Sequence, residues 1–222
     1  MVEEDKASDL PASSTPFRPT KIFWIVPHNS FSSGVKVLDL TKDIEIPYAV
    51  DESDQPTQQY IDAIKDVVQR EGKHRPPCYT FVKTNFTGMH VLMRNASDEQ
   101  VADWQFGLWS TSSTKLQFPP ESEHCSHQII MTPTSIWRQN EAFVVDSCPY
   151  QWCVEAIWKG NRFRLDRNYG GQQKEVGRFW QSWSWQTGGA LVLDTEEIDE
   201  VVGILTMVVM LKKRRHREME RS

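Results

Sequence analysis

Eleven consecutive residues, Val201–Leu211 (VVGILTMVVML), carry no charge, and the basic run KKRRHR follows at once. Ile198, Val201, Val202, Ile204, Leu205 and Met207 through Leu211 occupy every face of a helix rather than one stripe. Such a helix has to be buried in protein or in lipid. At about 1.5 Å per residue the run spans about 16 Å, roughly half the hydrocarbon thickness of a bilayer. Extending it back to Ile198 brings in Asp199 and Glu200, each costing about 2.5–3.5 kcal/mol near a bilayer centre. A transmembrane span is therefore not expected; a helix enclosed by the protein's own sheet is. Its ends suit that reading. Asp194 and Glu197 have the spacing of a capping box, and the cations of KKRRHR sit at the negative end of the helix dipole.

The material for an enclosing sheet lies upstream. Short β-like runs recur about every ten residues: KIFWIV (21–26), VKVLDL (35–40), IEIPYAV (44–50), CYTFVKT (78–84), HVLMR (90–94) and ADWQFGLWS (102–110). They continue with KLQF (115–118), HQIIMT (127–132), AFVVDS (142–147), QWCVEAIW (151–158), RFRLDRN (162–168), EVGRFWQSWSW (175–185) and GALVLD (189–194). Many short strands with few helices predict a barrel or sandwich rather than a parallel sheet. Pro47 demotes IEIPYAV to an edge or short strand. One segment changes period: Tyr60, Ile61, Ile64, Val67 and Val68 share a helical face, with Pro56 before them and Gly72 after. The expected fold class is mainly β (α+β), a closed antiparallel barrel around a hydrophobic C-terminal central helix, with one additional amphipathic helix. Residues 1–20, rich in acids, Ser and Pro, are expected to be a disordered tail. The domain then covers 21–217, and 218–222 form a short C-terminal tail.

The order WCVEAIWKGNRFRLDRNYGGQQKEVGRFWQ, a further β-run, then IDEVVGILTMVVMLKKRR resembles the last hairpins and central helix of the tubby C-terminal-like superfamily. That group includes LURP-one-related proteins and phospholipid scramblases, and the chain is most similar to a fungal branch of it. The resemblance extends over residues 20–217 and is carried mainly by the stretch from Trp152 onward. It implies a barrel closed around its last helix, and it implies binding of phosphoinositide headgroups by basic side chains on the barrel surface. These are fold motifs rather than catalytic ones.

Nine tryptophans, Trp24 to Trp185, fall mostly within β-like runs, where large rings suit a thick core. The net charge of −5 argues against a nucleic-acid partner with a broad basic face. No apolar leader opens the sequence, so the expected location is cytoplasmic, with peripheral membrane or nuclear alternatives, and Cys78, Cys125, Cys148 and Cys153 are expected as thiols. The sequons at Asn85 and Asn95 are then silent. His124, Cys125 and His127 with Cys148 and Cys153 lack the paired spacing of a zinc site. No nucleophile elbow or P-loop is present, and YGGQQ reads as a turn. No catalytic residue, metal or cofactor is expected, and an enzyme is the less favoured reading.

Two basic groups remain. In WKGNRFRLDRN, Arg162 and Arg164 share the strand face opposite Phe163 and Leu165, with Lys159 and Arg167 near the ends of the hairpin. With Phe163 and Leu165 inward, the arginines face solvent and suit an anionic headgroup; solvated strand charges are the bland alternative. Lys212, Lys213, Arg214, Arg215 and Arg217 complete the helix dipole, attract anionic lipid at about 1 kcal/mol per residue, or serve as a nuclear import signal. The functions left open are a non-catalytic module for phosphoinositide or an anionic membrane surface, a protein-interaction scaffold, and a small-ligand binder or enzyme with a barrel-rim pocket near FWQSWSW.

Overall fold

The computed structural model describes residues 16–28, 34–84, 90–105, 113–134, 140–156, 162–181 and 187–220. Its strands are β1 (Lys21–His28), β2 (Gly34–Asp39), β3 (Tyr79–Lys83), β4 (His90–Asn95), β5 (Gln100–Gln105) and β6 (Thr114–Gln117). They continue as β7 (Ile129–Pro133), β8 (Glu141–Val145), β9 (Cys148–Ala156), β10 (Arg162–Tyr169), β11 (Gln172–Gln181) and β12 (Thr187–Leu193). Two helices are described, α1 (Gln58–Glu71) and α2 (Glu200–Glu220). All twelve strands form one closed barrel in chain order, and β12 pairs antiparallel with β1 to shut it. Closure leaves no sheet edge to template pairing with another chain.

An uninterrupted meander makes its connections alternate between two ends. The near end carries the links β2–β3, β4–β5, β6–β7, β8–β9 and β10–β11, and the segment from β12 into α2. The far end carries the links β1–β2, β3–β4, β5–β6, β7–β8, β9–β10 and β11–β12. Gly170 and Gly171, at φ +59° and +77°, supply the left-handed pair that the tight β10–β11 turn requires.

Alternation along the strands creates two apolar clusters. Inward residues such as Phe23, Ile25, Trp104, Trp152, Phe163, Phe179 and Leu191 pack with Val201–Leu211 of α2. Outward residues of β1, β11 and β12 (Ile22, Trp24, Trp180, Ala190, Val192) pack under Tyr60, Ile64 and Val67 of α1. This explains why KIFWIV reads as apolar on both faces: one face meets the interior and the other meets α1. Thr57 caps α1, its hydroxyl accepting from the Tyr60 amide. The run 44–50 is not a strand. Pro47 lacks an amide to donate, and its Ile44, Ile46 and Tyr48 serve as packing for α1 instead. Trp24, Trp104, Trp152 and Trp180 are core residues as the sequence suggests; Trp109, Trp137, Trp158, Trp183 and Trp185 lie outside the described residues.

Helix α2 starts later than the expected capping box. Asp194 caps a turn, its side chain accepting from the Glu196 amide. The helix itself is capped by Asp199, which accepts from the amides of Val201 and Val202. Every residue from Val201 to Leu211 is buried. Its partners come from many strands: Glu200 accepts a hydrogen bond from the hydroxyl of Tyr79 on β3, and Thr206 accepts from the indole of Trp152 on β9 at 3.0 Å. At Gly203 an added Cβ would lie 2.6 Å from Leu193 Cδ1 on β12, so helix and wall approach closely there.

Candidate functional site: a basic barrel end

The last turns of α2 reach the far end of the barrel, and their side chains fan out as a helix of about 100° per residue dictates. Lys212 Nζ lies 5.3 Å from the ring centroid of Trp104 on β5. Lys213 meets Glu141 at the start of β8 at 2.6 Å. Arg214 stacks over Phe163 of β10, 5.6 Å from its centroid. One turn after Lys213, Arg217 also pairs with Glu141. Lys213, Arg214, Arg217 and Glu141 are all buried. Sequence reasoning missed Glu141, because NEAFVV gives no sign that an acid at a strand start faces inward.

Desolvation shapes these cations. Burial pulls the Lys212 ammonium down to about 8, with Lys83 adding repulsion. Burial also lowers Lys213, against the attraction of Glu141. Both shifts mean that the local negative charge does not fully offset the cost of holding ammonium groups away from water.

Arg162, first residue of β10, stands beside Phe163 and so lies at the same end as the α2 run. Lys83 and Lys115, at the far-end termini of β3 and β6, join it. Carboxylates at this end face cations or an imidazole: Glu141 as above, Asp103 with His90 at 3.2 Å, and Glu155 with Arg164 and Arg178. At the near end Asp194, Glu196, Glu197, Asp199 and Glu200 gather where α2 begins, with Lys21, Arg167 and Lys174 paired among them.

The four hairpin cations do not form one cluster. Phe163 and Leu165 are buried inward as expected, yet Arg164 is engaged on the outer wall, its Nε donating to Asp166 at 2.9 Å. The register of β10 against β11 shifts between Leu165 and Asp166, which brings that acid onto the arginine's face. Arg167 lies toward the near end, where it pairs with Glu197 and donates from Nε to Cys148 Sγ at 3.1 Å. Lys174 and Arg167 together hold the Glu197 carboxyl below its ordinary range. Lys159 lies outside the described residues.

A second charged group sits on the outer wall. Arg178 grips Glu175 with two donors, at 2.7 and 2.8 Å, and also holds Asp54 by its backbone and side-chain oxygens. This ties the segment before α1 to β11. Burial raises Glu155 and Asp166, and raises Glu175 to about 7 against the pull of Arg178. A carboxyl raised in the folded state keeps its proton while the unfolded chain ionises, so it erodes stability as pH climbs from the ordinary carboxylate range to about 7. Glu175→Gln is expected to flatten the fall in urea midpoint between pH 5 and pH 7.5; an unchanged slope would mean the group ionises normally.

No catalytic arrangement emerges among the described residues. Cys125 Sγ and Asp146 Oδ1 both approach the same nitrogen of His127, at 3.7 and 3.5 Å. A single ring nitrogen cannot accept a thiol proton while donating to an orienting acid. Burial moreover pushes the Cys125 thiol up. His124 is turned toward Asp199, and no group of three His, Cys, Asp or Glu suited to a metal is found among the described residues. An open groove of about 740 Å3 lies beside the end of α1, lined by residues including Arg70, His74, Arg75, Pro77 and Cys78. Its Arg75 is already saturated by Asp43, Glu71 and the Asp39 carbonyl. The rim expected near FWQSWSW includes Ser182–Trp185, outside the described residues. No described helix is long and apolar enough to cross a membrane. Compared with family models, curated proteins and solved structures, the chain matches none.

Proposed function

We propose that this domain is a non-catalytic binding module for an anionic membrane surface or phosphoinositide, and that it meets that surface with the far end of the barrel. In this reading α2 is the central helix of a tubby C-terminal-like barrel. Burial on all its faces and contacts to strands around the whole sheet support that placement. The observation that carries the functional reading is charge segregation along the barrel. Arg162, Lys83, Lys115 and the α2 run from Lys212 to Arg217 reach one end, while the acids that open α2 stand at the other. Such an axial charge separation orients the domain toward a negative surface although the chain as a whole carries −5.

Within the hairpin group, Arg162 is the described cation placed to contribute. Arg164 and Arg167 serve Asp166 and Glu197. Sedimentation with phosphatidylcholine vesicles, with and without phosphatidylserine and phosphatidylinositol monophosphate, tests this. Binding is expected only to the anionic vesicles and should fall with salt. Arg162→Ala and Arg215→Ala should each weaken it about fivefold, at about 1 kcal/mol per basic residue near such a surface. Arg167→Ala should leave it within about twofold, since that guanidinium is at the opposite end. Binding that ignores salt, or that depends on Arg167 rather than Arg162, overturns the orientation proposed.

A further inference from the structure

The far end of the barrel holds more buried positive charge than its carboxylates balance. Lys213 and Arg217, 1% and 6% exposed, share the single carboxylate of Glu141, itself fully buried. Lys212, half-buried, adds a third cation against the Trp104 ring, with Lys83 repelling it. Among the described side chains these three cations meet one carboxylate, a net charge of +2, and Lys213, Arg217 and Glu141 are closed to water. Uncompensated charge in such surroundings is costly unless a partner of opposite sign completes it.

Among the described residues, Glu141 is the carboxylate that Lys213 and Arg217 reach. In sequence, residues 29–33, 85–89, 106–112, 135–139, 157–161 and 182–186 contain no Asp or Glu. The acids that follow the basic run in sequence are Glu218 and Glu220.

A second, independent feature lies in the same sector. Lys212 points at β5 and Lys213 at β8, so the wall between them is β6 and β7. Thr114 opens β6 there, paired with Met131 of β7, two residues along that strand from Pro133, the partner of Glu141. Its side chain is fully buried, and its hydroxyl has no hydrogen-bond partner. A buried hydroxyl without a partner is uncommon and calls for an explanation. Here the hydroxyl adds a neutral donor to a set of ammonium and guanidinium donors. Lysine heads, an arginine fork and a threonine hydroxyl are the donor types that take up phosphate oxygens.

We infer that the sector bounded by Lys212, Lys213, Arg217 and Thr114 binds a tetrahedral oxyanion of the phosphate class beside Glu141. A dianion there brings the local sum to zero and gives the Thr114 hydroxyl an acceptor. The inference draws on the membrane reading only for the source of the phosphate, a lipid headgroup or a free phosphate. The site itself stands on the buried charge and the orphaned hydroxyl.

The test is thermal unfolding of the full chain in inorganic phosphate against chloride at equal ionic strength. Saturating phosphate should raise the midpoint by on the order of 3 °C through preferential binding to the folded state. Arg217→Gln should abolish the rise. Thr114→Val, which removes the donor at constant volume, should at least halve it. Arg70→Gln, on α1, should leave it intact. Should Arg217→Gln fail to fold, Thr114→Val decides alone.

Vesicle sedimentation of the same variants separates the sources. A phosphate effect without vesicle binding keeps the site, assigns it a soluble anion and removes the membrane reading. Vesicle binding that is lost in Thr114→Val and Arg217→Gln assigns the site a headgroup, whether or not free phosphate stabilises. No excess stabilisation by phosphate, with vesicle binding indifferent to both substitutions, overturns the site and leaves the membrane reading resting on Arg162 and Arg215. A phosphate effect equal in wild type and variants overturns it as well.

Discussion

Replacing Glu141 by leucine is expected to destabilise the protein by about 3–5 kcal/mol, the usual effect of removing one partner from a buried ion pair. The carboxylate is fully buried and receives both Lys213 and Arg217. Without it, two cations stay in a low-dielectric wall with no carboxylate. The ammonium has an escape that the guanidinium lacks. Burial already lowers Lys213, so it can shed its proton, whereas arginine stays charged. Adding Lys213→Met to Glu141→Leu should therefore recover part of the loss, and adding Arg217→Leu as well should recover most of it. Urea midpoints of the single, double and triple variants measure this directly. A single-variant loss below about 1 kcal/mol would place the pair in water instead.

The second large effect concerns α2. On a helix packed along one stripe, alanine substitutions cost stability with a period of about 3.6 residues. Here Ile204, Leu205, Val209 and Met210 are all fully buried, and at about 100° per residue they are distributed around the whole axis. Alanine at each of the four is expected to cost about 2–5 kcal/mol, or somewhat less for the smaller valine, with no exposed position to break the series. Midpoints that alternate between large and negligible losses would show that one face of the helix is open.

How much of this was legible in the sequence depended on how local the cause was. The unbroken apolar run of α2 announces its own burial, and the strand runs announce a meander because each needs only its own alternation. The face of α1 was legible for the same reason, since Tyr60, Ile64 and Val67 recur at helical spacing. IEIPYAV misled because apolar residues packing beneath a helix look like a strand when the missing ladder partners cannot be seen.

The charged residues were the least readable. Arg164 and Arg167 look like solvent-facing strand cations until a register shift delivers Asp166 to the first, and Glu197, thirty residues on, closes over the second. Glu141 gave no signal because its partners arrive from 72 and 76 residues later. The basic run itself was visible; its division among three walls of the barrel was not, because that depends on the angle at which each successive side chain leaves the helix.

The seam between β1 and β12 has a kinetic consequence. Thr20 and Leu193, which bond across it, are 173 positions apart, and α2 is made after both. Synthesis therefore delivers all twelve strands before α2, and their apolar faces wait without the Val201–Leu211 run that packs with them. Long sequence separations slow assembly, and exposed strands in a waiting intermediate invite association. Refolding from urea should accordingly be slow and sensitive to protein concentration, with the final step registering α2 and the seam together.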